Sequence, residues 1–346
     1  MSAHSKFRSP SFIAVDARQR RKSKASCQPN TMKFSYTEEN RDGRHLDVLT
    51  DEENGLRIIV SKLGAELVSL ARINEAGRWT GFLYRDNDLS TPSQGWANHA
   101  TVMGYYLHRL KDGRSLYRGR EIKGGNHGFL RSKTWRFGGF SSEGSGASLK
   151  YRITPEDFSP SEYPLKVGVD LTYSLDNNKL TVFFEFRNHE PELTAHVAFG
   201  LHPGFGATSF ESFHLQMPRG CYRRYFSPDN YLSGETRDIE FPGGEMPFSK
   251  NELPGSIILE LVDVRRRNFS YVDPPSGRWM TLDLTAVPYV TLWSDGGPFL
   301  CVEPCWGLTD HHNQRAFEDK QGIQTISPGG KLCASLSMAP QLASCD

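Results

Sequence analysis

Helical periodicity is nearly absent from this 346-residue chain, and short apolar stretches instead alternate with Gly, Pro, Asp and Asn turns about every ten residues. A chain written this way has few options other than antiparallel sheets. Residues 56–60 and 66–70 flank a Leu63-Gly64-Ala65 turn, and 115–122 folds back at Gly119. Residues 167–174 and 180–186 alternate apolar and polar side chains on either side of Asp176-Asn177-Asn178, whose asparagines tolerate the positive φ of a tight hairpin. Further strands are expected at 256–262, 269–272, 279–284, 289–293 and 332–338. The best helical stretch, 313–320, is two turns at most. The expectation is an all-β protein, a large antiparallel β-sandwich forming one domain over residues 32–346.

Residues 1–31 carry seven Lys/Arg against one acid, Asp16, with little to bury, and read as a disordered basic leader. Either an organellar presequence or a start codon placed too early, with Met32 the true beginning, fits that composition. The formal net charge of +1 implies no basic field for nucleic acid. No apolar run approaches the roughly 20 residues that cross a bilayer, so no membrane partner is expected. The six cysteines form no Cys-x-x-Cys pair, which fits reduced thiols in a cytoplasmic setting. A sandwich buries its own core, so a monomer or a weak homodimer is expected. The long connections 85–98 and 241–254 read as binding loops.

Three stretches carry chemistry. In 196–206 a strand-like run meets a Pro/Gly cluster, and His202 sits where the chain is expected to leave the sheet. An imidazole there can exchange protons near neutrality, although a polar residue closing a turn is the plainer reading. In 299–307, Glu303 lies among apolar neighbours at the end of a strand that Pro304 is expected to stop, where partial burial would raise its pKa toward that of a working base. Trp306, three positions on, is a candidate to stack on the apolar face of a ring. A Gly-rich loop delivers Asn126 and His127, and Arg109 upstream offers a forked donor.

Together these stretches resemble the aldose 1-epimerase (galactose mutarotase) family, in its divergent galactose-mutarotase-like branch. The resemblance rests on Gly64-Ala65-Glu66-Leu67, on 109–113, on Asn126-His127-Gly128-Phe129-Leu130-Arg131, on Phe199-Gly200-Leu201-His202-Pro203 and on 299–304. It implies a supersandwich fold, Glu303 as general base, His202 as general acid, and Arg109 and His127 on the hydroxyls and ring oxygen of a monosaccharide. Asn126, Trp306 and Phe205 are candidate substrate contacts. The implied reaction opens and recloses an aldose ring with no cofactor and no metal, the two proton carriers standing on opposite sides of the ring about one pyranose width apart.

The chain departs from the family pattern at four edges. It has Leu253-Pro254-Gly255-Ser256 where an aspartate is usual, with Glu252 nearby. It has Gly204 in place of an aromatic, Cys305 between Pro304 and Trp306, and His108 where a glycine commonly precedes the arginine. Two other readings stay open: a carbohydrate-binding protein without turnover, and a glycoside hydrolase in which a second acid such as Asp310 faces Glu303. A phosphorylated sugar would call on Lys111, Arg114 and Arg131.

Overall fold

The computed structural model describes residues 33–247, 249–313 and 315–343. The leader expected over residues 1–31 lies outside them. Every strand pair among the described residues is antiparallel, as expected of a chain whose turns are too short for crossovers.

A five-stranded meander runs from Phe34–Arg41 through Arg44–Asp51, Leu56–Ser61 and Glu66–Ile73 to Trp79–Gly81. A nine-stranded sheet has Lys331–Leu342 at its middle, with Lys179–Asn188 beside it and Val167–Asp176 next in order. An eight-stranded sheet sets Tyr289–Trp293, Phe299–Trp306 and Ala195–Gly206 side by side, with Ala100–Tyr105 pairing along the last of these. The hairpin expected at 176–178 is present, and Asn177 and Asn178 hold φ of 50° and 63°. The helix expected over 313–320 is reduced to a single 3-10 turn, Phe317–Asp319. No helix among the described residues is long and apolar enough to cross a membrane.

The two large sheets pack face to face through aromatic rings. Phe184 and Phe186 of the nine-stranded sheet meet Phe199 of the eight-stranded sheet at 5.3 and 4.5 Å between centroids, and Phe199 stacks on Trp306 at 5.0 Å. The meander is tied in by buried hydrogen bonds in which Tyr151 donates to Asp47 (2.9 Å) and Tyr173 to the Ala65 carbonyl (2.7 Å).

One expectation fails here. The Ala195–Gly206 strand does not leave the sheet at its Pro/Gly cluster. It runs twelve residues without a break, and Pro203, Gly204 and Gly206 sit opposite Ala100, Cys301 and Phe299. Side chains alternate across a strand, so the uninterrupted run sends Phe199, Leu201 and Phe205 into the intersheet core and His202 to the other face. The same alternation along Phe299–Trp306 sends Leu300, Val302 and Trp306 inward and Cys301, Glu303 and Cys305 outward.

On the nine-stranded sheet, Asp170 accepts from Arg152 at 2.5 and 2.8 Å and lies 2.8 Å from Lys150. Burial works against its charge, but these partners win and hold its carboxyl at about 2. A carboxylate held below its unfolded value stabilises the fold above pH ~4 and loses that contribution as pH falls toward 2. Asp170→Asn is therefore expected to cost about 1–2 kcal/mol at pH 7 in urea unfolding, with the difference from wild type shrinking at pH 3.

Candidate active site

The outward face of the eight-stranded sheet forms the floor of a cleft of about 250 Å³, lined by Trp96, Asn98, His108, Arg109, Asn126, His127, Arg131, His202, Asn230, Ser256, Trp293 and Glu303. That volume falls just below the roughly 300–1,000 Å³ of sites for drug-sized molecules and admits one small ring-sized molecule. A wider depression of about 580 Å³ around Arg57, Trp79 and Arg278 contains no histidine.

Register places the two central groups. Gly200 sits opposite Cys305 and Gly204 opposite Cys301. Carried through the intervening residues, that register sets His202 opposite Glu303. Regular pairing lapses over 201–203 on this side, where Pro203 and Pro304 contribute no N–H. His202 Nε2 lies 3.2 Å from Glu303 Oε1, and both side chains are almost fully buried. The expected separation of a ring width is thus replaced by direct contact between neighbours on adjacent strands. Both groups nevertheless line one cleft, together with Arg109 and His127.

Burial drives both partners toward their neutral forms. Glu303 is pushed well above the ordinary carboxylate range by burial. His202 is pushed down to about 3 by burial and, after that, by the nearby His108. Both shifts favour the neutral pair, with a single exchangeable proton between the carboxyl and the imidazole. Burial also lowers His127 far below the usual imidazole value, with His202 and His108 adding to the effect, and takes His108 to about 4.

The other lining residues arrive on constrained backbone. The His127 loop is pinned to Ala100–Tyr105: the His127 N–H donates to the His108 carbonyl (2.7 Å), Gly104 N–H to the His127 carbonyl (3.0 Å) and Phe129 N–H to the Gly104 carbonyl (2.9 Å). Gly128 makes this approach possible, because at φ +76° a Cβ there would stand 2.1 Å from the Gly104 oxygen. His108, His127, Asn230 and Ser256 all hold positive φ, between 52° and 67°. Such conformations cost of order 1–3 kcal/mol for some residue types and gather at ligand sites.

Loop 85–98, expected to be a binding loop, supplies Trp96 and Asn98 to the cleft, whereas no described residue of 241–254 lines it. Trp96 stacks on His202 and Phe299 at 5.1 and 5.2 Å, and Trp293 meets it edge-on at 6.0 Å. Asn98 accepts from Trp96 Nε1 (3.3 Å) and Arg131 Nη2 (3.2 Å) when its amide is oriented to satisfy both. The missing aromatic at Gly204 now has a physical reason, since a Cβ at Gly204 would come 2.2 Å from the Trp96 ring. Trp96 fills that space from another part of the chain.

Two expected contacts are corrected. Phe205 and Trp306 both face the intersheet core and do not line the cleft; Phe205 packs on Tyr271 at 5.5 Å, and Trp306 Nε1 donates to the Ala286 carbonyl at 3.0 Å. Each stands three residues beyond His202 or Glu303 along a straight strand and so points the other way. Asn126 does line the cleft. Glu252 pairs with Arg224 at 3.3 Å and stands apart, whereas Ser256 occupies the wall beside the strand Ile257–Asp263. Asp310 is buried against Lys320 and accepts from the Lys111 N–H at 2.6 Å. Glu303 is the only carboxylate among the described lining residues, which removes the facing acid that a glycoside hydrolase requires. Of the basic candidates, Arg131 lines the cleft and Lys111 lies over the Tyr231 ring at 4.6 Å.

The fold and the cleft define a galactose-mutarotase-like β-sandwich. A galactose mutarotase related enzyme from Lactobacillus acidophilus superposes with a TM-score of 0.74 at 24% identity, covering 84% of this chain and 96% of that one. A galactose mutarotase-like protein from Lactobacillus casei gives 0.71 at 21% identity, covering 89% and 100%. Another from Clostridium acetobutylicum gives 0.68 at 14%, covering 90% and 99%. At these identities the likeness is one of fold. No curated protein matches the sequence. The aldose 1-epimerase family model matches residues 47–219, half of the chain, and the protein belongs to that family. The matched span includes Arg109, His127 and His202 and stops short of Glu303.

Gly204→Ala is expected to dislodge Trp96 from His202 and to cost about 1–3 kcal/mol of stability against urea. Tryptophan fluorescence through a urea titration, with wild type as reference, checks it.

Proposed function

We propose that the chain is a cofactor-independent aldose 1-epimerase, interconverting the α and β anomers of a free monosaccharide. One observation carries this reading. Three buried polar atoms of cleft-lining residues, Glu303 Oε2, His202 Nδ1 and His127 Nδ1, have no hydrogen-bond partner among the described residues. Leaving such an atom unmet costs about 1–3 kcal/mol, and a polyhydroxylated ring with donors and acceptors around its rim would meet them.

Proton transfer follows from the His202–Glu303 contact. Opening a cyclic hemiacetal removes a proton from the anomeric hydroxyl and adds one to the ring oxygen. Those two oxygens are bonded to the same carbon, so adjacent proton carriers reach both, and a ring-wide gap is not required. A pair holding one proton supplies it to one oxygen and takes another from its neighbour. After the aldehyde end rotates, the same pair, now with its proton on the other partner, recloses the ring on the opposite face. The two roles are exchanged in each half of the reaction, so Glu303 and His202 each serve as acid and as base.

Arg109 supports the reading by position. It is half-buried at the cleft, and its guanidinium makes no hydrogen bond or ion pair among the described residues, which leaves it free for sugar hydroxyls. Trp96 and Trp293 offer faces for the apolar side of the ring. A monosaccharide of neutral charge is the proposed substrate.

Anomer exchange followed by polarimetry or saturation-transfer NMR on galactose and glucose tests the proposal. Glu303→Gln and His202→Asn are each expected to lower the rate about 10²–10⁴-fold, with sugar binding changed far less. Equal rates in wild type and both variants would leave a carbohydrate-binding protein without turnover.

A further inference from the structure

Glu303 has a second neighbourhood that proton exchange with His202 does not use. Its Oε1 faces His202, while Oε2 has no hydrogen-bond partner among the described residues and lies 4.0 Å from His108 Nδ1. On the same strand, two residues on and therefore on the same face, Cys305 brings a fully buried free thiol. Its Sγ stands 4.0 Å from His108 Nε2. One ligand atom from each of His108, Glu303 and Cys305 can be chosen so that all lie within 4.8 Å of one another.

We propose that His108, Glu303 and Cys305 form a binding site for a soft divalent cation of the zinc type, with its fourth position open to the cleft. The donor set selects the ion. A thiolate and an imidazole beside one carboxylate suit zinc, cadmium or cobalt, whereas magnesium and calcium require oxygen ligands throughout. Zinc bonds of about 2.0–2.3 Å hold tetrahedral ligands roughly 3.3–3.8 Å apart, so the three groups must close by up to about an ångström. The closure falls to the His108 side chain, since its backbone is held by the His127 N–H on the His108 carbonyl at 2.7 Å and its ring meets His127 edge-on at 5.4 Å. Glu303 is already oriented, because His202 holds its other oxygen in the manner of the outer-shell partners that steady metal-ligating carboxylates.

Ligation releases the Cys305 thiol proton to solvent as the sulfur–metal bond forms, and as Glu303 Oε2 binds the metal the carboxyl proton passes to His202 or to solvent. On the proposed epimerase reading, which this consequence alone depends on, the metal-loaded protein has lost one of its two proton carriers. The site is then an inhibitory one, and a chelator restores turnover.

Cobalt(II) titration of the untagged full-length chain tests the site without any sugar. Wild type is expected to bind one equivalent, with a thiolate-to-cobalt charge-transfer band and the visible absorption of four-coordinate cobalt, both abolished by competing zinc. Cys305→Ser is expected to lose the charge-transfer band, and His108→Gly, which suits the positive φ, to weaken zinc binding at least about tenfold. Near-UV circular dichroism identifies any variant that has not folded, and the other variant then decides. Absence of the band in wild type, or zinc affinity unchanged in a folded variant, overturns the proposal. Because no sugar enters this experiment, its outcome is independent of whether the chain exchanges anomers.

Discussion

The pairing of two strands, Ala195–Gly206 and Phe299–Trp306, fixes nearly everything that matters at the cleft. Their register sets His202 across from Glu303 at the one place where prolines on both strands interrupt the ladder. A slip of either strand by one residue would turn its own member of the pair into the intersheet core and bring an apolar side chain to the cleft. The register is held from behind by aromatic packing, since Phe199 and Trp306, opposite each other on these strands, stack and together meet Phe184 and Phe186. The core and the site are thus two faces of the same strand pair.

That arrangement explains how a carboxylate and an imidazole can be buried side by side in an otherwise apolar sheet. An isolated buried charge is expensive, but a pair that carries one proton can be neutral on both partners. Burial then favours the state from which either group can act, and the surrounding aromatics, Trp96 above His202 and Trp293 at its edge, keep water away from the contact. The backbone strain at His108, His127, Asn230 and Ser256 is gathered around the same cleft, where a ligand can use it and where the rest of the sandwich is rigid enough to hold it.

The strands were legible because their signal is local. Alternation and Asn-rich turns marked the 167–188 hairpin, and the apolar run 289–293 matches a strand residue for residue. His202, Glu303, Arg109, Asn126 and His127 were also legible, through residue chemistry and the family resemblance, and all five line the cleft. The errors share one cause. Pro203 and Pro304 read as strand ends, whereas both strands continue past them with their alternation intact, so Phe205 and Trp306 were assigned to the wrong face. Trp96, Asn98 and Trp293 carried no motif at all. Their role appears only when loop 85–98 and the strand Tyr289–Trp293 are brought beside Gly204 and His202, and the glycine at 204 was the only local sign that something bulky had to fit there. His108 and Cys305 meet across 197 positions of sequence, a convergence that no spacing rule could anticipate.

The central claim is that one proton, held between His202 and Glu303, faces the reacting end of a sugar. The most direct measurement is a crystal structure with a bound aldose. The account predicts the anomeric carbon over the His202–Glu303 contact, with its hydroxyl and ring oxygens each within about 3.2 Å of His202 Nε2 or a Glu303 oxygen and other hydroxyls on Arg109 and His127. A sugar seated in the cleft with its anomeric carbon turned away from this pair, or bound at a different surface, would contradict it.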